Sequence, residues 1–91
     1  MATVRDELVN TLEELMYEEL DKFTLRLSQR ELFEQEQHIP KSLVHGKSRD
    51  DIVDVMVEFY GRLRAVEITL LILGRMNKNQ LAMDKGLYSM T

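Results

Sequence analysis

The chain has 91 residues and no cysteine, and its 16 acids against 12 Lys and Arg leave a formal net charge of −4. That length gives one domain with one modest core. The lack of cysteine excludes a disulfide framework, a thiol nucleophile and a thiolate metal site, and fits a reducing compartment.

The start, MATVRDELV, lacks a basic segment followed by an apolar one, so no secretion signal is read. The first helical pattern is Leu8, Leu12 and Leu15, at i, i+4 and i+7. Thr3 followed by Asp6 predicts a capping box at its start. A second pattern follows in Leu20, Phe23 and Leu27. The break between them, near Leu15 and Met16, has neither Gly nor Pro, and Met16 is a poor N-cap.

Residues 30–40, RELFEQEQHIP, lose the helical period and read as a long polar loop anchored by Phe33 or Ile39. Pro40 suits the first turn of a short third helix running to about Val44, closed by Gly46. Ser48-Arg49-Asp50-Asp51 is an S-x-x-D start signal with Ser48 as N-cap. The fourth helix after it shows Ile52, Met56 and Phe59 on one face, with Val55 beside them, and ends at Gly61. Residues 62–76 are apolar nearly all round, which predicts a central helix packed on several sides. Asn77 is read as the cap of a last short helix carrying Leu81 and Met83. The chain is thus one domain over 1–91, with an ordered core of about 4–85 and a tail that frays from Gly86. The expected fold is all-α: six helices in an antiparallel bundle with short connections elsewhere and a long second-to-third loop.

Catalytic chemistry finds little support. His38 and His45 lack further ligands at helical spacing, and a zinc site needs three or four. The serines have no nucleophile-elbow context and no phosphate-binding Gly-rich loop occurs. The paired acids Glu13-Glu14, Glu18-Glu19 and Asp50-Asp51 lie on faces opposite the apolar stripes, where solvated acids are the simplest reading. Met56 and Met76 fall on core faces. No metal, cofactor, small-molecule substrate or enzymatic role is expected, and a bundle carrying a small apolar ligand would need a sizeable cavity. The acidic balance argues against a general nucleic-acid binder, and no apolar run approaches the roughly 20 residues that span a bilayer.

Charge geometry is what remains. Residues 1–37 hold ten acids and four bases, whereas 38–91 hold six acids and eight bases. Asp6, Glu13 and Glu14 fall on the outer face of the first helix, and Asp51, Asp54 and Glu58 on that of the fourth. Should these helices be neighbours, their acids merge. Lys22 and Arg26, at i and i+4 on the second helix, and Lys41 after Pro40 form the opposing basic set. Head-to-tail contact between such faces is heterologous and can propagate.

The ordered set RDELVNTLEELMYEELDKFTLRL, Ile39-Pro40-Lys41, DDIVDVMVEFYG and AVEITLLILGRMNKNQLA resembles a pyrin domain over about residues 4–84. The resemblance implies a six-helix death fold with a short third helix. It implies homotypic binding to pyrin-domain proteins in cytosolic innate-immune signalling, with recruitment of the adaptor ASC during inflammasome assembly. GRMNKNQLA is similar to the end of pyrin domains in NOD-like receptors. The family pattern implies an acidic patch of Asp6, Glu13, Asp51 and Asp54 and a basic patch of Lys22, Arg26 and Lys41. A pyrin-only decoy that blocks assembly is the alternative. The chain departs from the family's L-K-K-F-K style of second helix: Asp21 reverses one charge and Thr24 removes another. Asn10 and Ser48 also stand where the adaptor-like pattern places acids. The basic side is therefore the weaker one, so these departures count against self-assembly more than against binding through the acidic face.

Overall fold

The computed structural model describes residues 3–29 and 38–90. Thr3 starts the first helix, α1 (Val4–Glu13): its hydroxyl accepts from the Asp6 amide at 3.1 Å, and the Asp6 carboxylate accepts from the Thr3 amide at 3.3 Å. Two amides left without helical partners are thereby satisfied, a feature worth about 1 kcal/mol. Leu8, Val9, Thr11 and Leu12 make the buried face, and Leu15 follows them inward.

The second helix, α2 (Tyr17–Leu27), begins without a side-chain cap from Met16, as its apolar side chain requires. Glu19 compensates, because its carboxylate accepts from the Met16 amide at 2.9 Å. Leu20, Phe23, Thr24 and Leu27 are buried. Thr24 thus faces inward, 4% exposed, and its hydroxyl donates to the Asp21 carbonyl at 3.0 Å. The place where the family pattern carries a lysine is not a surface position in this chain.

Of the two proposed loop anchors, Ile39 is fully buried and its amide donates to the Leu27 carbonyl at 3.1 Å; Phe33 lies outside the described residues. Beyond Pro40, α3 (Lys41–Val44) is a single turn that buries Val44. Ser48 caps α4 (Arg49–Tyr60), its hydroxyl accepting from the Asp51 amide at 3.2 Å. The buried residues of α4 are Ile52, Val53 and Met56, while Val55 and Phe59 are half-buried. The apolar face is therefore turned toward Val53 rather than centred on Phe59. Gly61, at φ 80°, makes the corner into α5 (Arg62–Arg75), a conformation that L side chains resist.

α5 packs against α1, α2, α4 and α6 (Asn79–Asp84), which is why six of its residues are buried. Its end differs from the expected one. Asn77 adopts φ 60°, the Asn77 amide donates to Gly74 and the Lys78 amide donates to Leu73 at 2.7 Å. This is a Schellman closure, so Asn77 stops α5 and does not start α6. On α6 the buried residue is Ala82, Leu81 is half-buried and Met83 is 60% exposed. Met76 is half-buried against the core. Fraying from Gly86 is also not what residues 87–90 show. They form a 3-10 turn whose Leu87 is fully buried, because a leucine there completes the contact with α5 and α6.

Six helices and no strand occur among the described residues. The core runs from Leu8 through Phe23, Met56 and Ile72 to Leu87. The buried hydroxyls of Thr11 and Thr69 each donate to the carbonyl four residues earlier, so their burial costs little.

Candidate protein-docking site

α1 and α4 lie side by side and run antiparallel. Arg5, near the start of α1, grips Asp54 in the middle of α4, with Nε 2.5 Å from Oδ1 and Nη2 3.3 Å from Oδ2. At the other end Arg49, the first residue of α4, donates to the carbonyls of Leu12 at 2.8 Å and Leu15 at 2.6 Å. Those carbonyls belong to the end of α1 and the turn beyond it. Arg49 thus fills the role of a C-cap from a distant part of the chain. Its guanidinium also stands 5.5 Å from the ring centroid of Tyr17, within cation–π range.

The adjacency that the merged acidic surface requires is therefore present. Asp6, Glu13, Asp51 and Asp54 are all exposed. Asp6 and Asp50 act electrostatically on Arg5 together with Asp54. Glu13 ends α1 where Arg49 ties it to the first turn of α4, which carries Asp51. Glu14 does not join them, because it receives Lys85 from the end of α6 at 3.2 Å. The Arg5 hydrogen bond holds the Asp54 carboxyl below its usual range despite an opposing desolvation effect. Arg5 was invisible as a member of this surface in the sequence. A basic residue one position before Asp6 gives no sign of which carboxylate it will meet 49 residues later.

The basic residues divide into two groups. Lys22 and Arg26 line one depression with Glu19, Arg75, Met76, Asn77 and Lys78. Lys78 pairs with Glu19, and that hydrogen bond, followed by the one from the Met16 amide, lowers the Glu19 carboxyl below its usual range. Lys41 instead lines a depression with Asp21, Thr24, Leu25 and His45. The structure thus brings Lys22 and Arg26 together and sets Lys41 beside the very aspartate that weakens the family pattern. Arg75 and Lys78 were missed by sequence reasoning. Arg75 stands in the last turn of a helix, where a cation is explained by the helix dipole alone.

No group of His, Asp and Glu able to hold a metal ion occurs among the described residues. None of the described helices is long and apolar enough to cross a membrane. His45 is exposed and His38 half-buried.

Residues 7–83 match the family model described as PAAD/DAPIN/Pyrin domain. The chain is 41% identical over 83 residues to Pyrin of Rattus norvegicus, covering 90% of this chain and 11% of that protein. It is 30% identical over 82 residues to the apoptosis-associated speck-like protein containing a CARD of Mus musculus, covering 90% of this chain and 42% of that protein. The chain thus spans about a tenth of the Pyrin relatives it matches. The solution structure of the pyrin domain of human Pyrin superposes with a TM-score of 0.77 at 28% identity, covering 97% of this chain and 98% of that one.

Proposed function

The chain belongs to the pyrin-domain family, and from that premise we propose that it is a homotypic docking module of inflammasome signalling that recruits a pyrin-containing adaptor through its α1–α4 acidic surface. The observation that carries this reading is the antiparallel α1–α4 pair. It gathers Asp6, Asp50 and Asp54 about Arg5 and leaves Glu13 and Asp51 exposed and without an ion pair among the described residues. An exposed charge pair is worth roughly 0–1 kcal/mol, but several in register set partner choice and encounter rate. The matched relatives support this partner class, one of them being an apoptosis-associated speck-like protein containing a CARD. A cytosolic setting agrees with the absence of cysteine. The NOD-like-receptor assignment rests on GRMNKNQLA alone.

The test is Glu13→Lys combined with Asp51→Lys, neither of which touches the core. Co-sedimentation with an adaptor pyrin domain should be lost while the helical circular dichroism is unchanged. Undiminished co-sedimentation would overturn the reading. One observation favours a second reading, the decoy: Asp21 shares its depression with Lys41 and blunts the basic side. Adding the domain to assembling adaptor separates the two, since a recruiter accelerates assembly and a decoy arrests it.

A further inference from the structure

We propose that the surface receiving a second copy's acidic face is the depression between α2 and the α5–α6 turn, built by Lys22, Arg26, Arg75 and Lys78, rather than the α2–α3 side that carries Lys41. This rests on the homotypic reading above and assigns its basic half. Four cations and one carboxylate line that depression. The single carboxylate, Glu19, is already engaged by Lys78 and by the Met16 amide. Lys22, Arg26 and Arg75 have no salt-bridge partner among the described residues. The Lys41 depression offers one lysine beside Asp21 and a histidine, and so little net field.

The α2–α5 site is also held in shape. Met76 contributes an apolar side chain packed on the core, and the Schellman closure at Asn77 fixes the turn that carries Lys78. A site fixed before contact loses less conformational entropy on binding. The two arginines match carboxylates in a planar fork that lysine cannot reproduce. The occupant follows from charge: the α1–α4 surface of another copy presents Asp6, Glu13, Asp50 and Asp51, its Asp54 being held by Arg5. The two surfaces are different patches of one chain, so the contact is heterologous and extends beyond a dimer.

Light scattering and sedimentation of the full chain at low salt test the assignment. Arg26→Glu with Arg75→Glu should weaken self-association about tenfold or more, with the neutral pair Arg26→Gln and Arg75→Gln acting in the same direction if the reversed pair folds poorly. Glu13→Lys with Asp51→Lys should also abolish growth. Wild-type growth by the arginine variants, or its loss on Lys41→Glu in their place, overturns the inference and leaves adaptor docking standing. A wild-type chain that does not self-associate overturns it as well; if that chain still binds the adaptor, the proposed function survives. Failure of the acidic variant to lose either activity overturns the proposed function itself.

Discussion

Arg5 and Asp54 join α1 to α4 by a two-point ion pair set inside the acidic surface. The chain thereby carries its own cation within the surface proposed to receive a partner's cation. Of the four acids that the family pattern singles out, Asp54 is the one already engaged by a basic side chain, while Asp6 serves the cap of α1. An incoming basic residue meets Glu13, Asp50 and Asp51 directly, and meets Asp54 only by displacing Arg5.

Arg5→Gln should therefore free Asp54 and strengthen binding to a basic partner several-fold. The pair is exposed, so the fold should survive the change. Titration of an adaptor pyrin domain against wild type and variant checks this, and equal or weaker binding by the variant counts against Arg5 as an internal competitor.

The lowered carboxyls of Asp54 and Glu19 make a pH prediction. A carboxyl held below its usual value in the folded state stabilises the fold fully above that usual value, about 4. The contribution is lost as pH falls through the lowered value. The stability gap between wild type and the double variant Asp54→Asn, Glu19→Gln should be constant from neutrality down to about pH 5 and close below about pH 4. Urea midpoints at stepped pH measure it. A gap that widens in acid contradicts the assignment.

Arg49→Ala should destabilise the domain by about 2–3 kcal/mol, since it removes charged hydrogen bonds to two carbonyls and the contact with Tyr17. Arg49→Lys should recover little, because a point charge cannot reach both carbonyls with a fixed fork. Urea denaturation of the two variants decides it, and full rescue by lysine would show that charge alone matters there.

Asp21→Lys should turn the Lys41 depression from mixed to basic. Homotypic association at low salt should nevertheless stay at the wild-type level, because the proposed receiving surface lies on the other side of α2, and high salt, where surface fields are screened within about 3 Å at 1 M, should weaken variant and wild type alike. Turbidity at two salt concentrations reads the effect. Association that increases at low salt would mean that the α2–α3 side takes part and would count against the α2–α5 assignment.

The helices were legible because periodicity and caps act locally. Thr3 with Asp6, Ser48 with Asp51, and the leucine spacings of α1 and α2 each involve residues within two turns of one another. Where local signals were ambiguous the reading slipped. Asn77 suits either end of a helix, and only the 2.7 Å bond from Lys78 back to Leu73 shows it closing α5. Leu87 follows a glycine and looked like a tail residue, yet α5 and α6 together leave a place that it fills.

The sequence by itself determined the family, the six-helix count and the identity of the exposed acids on α1 and α4, because these depend on order and period along one strand of chain. The tertiary structure decided which charges remain available. Arg5 reaches Asp54, Lys78 reaches Glu19 and Lys85 reaches Glu14 across separations that no periodicity encodes. The proposed docking surface is what remains after those pairs form, and pairing between distant helices is settled only when the core has set their positions.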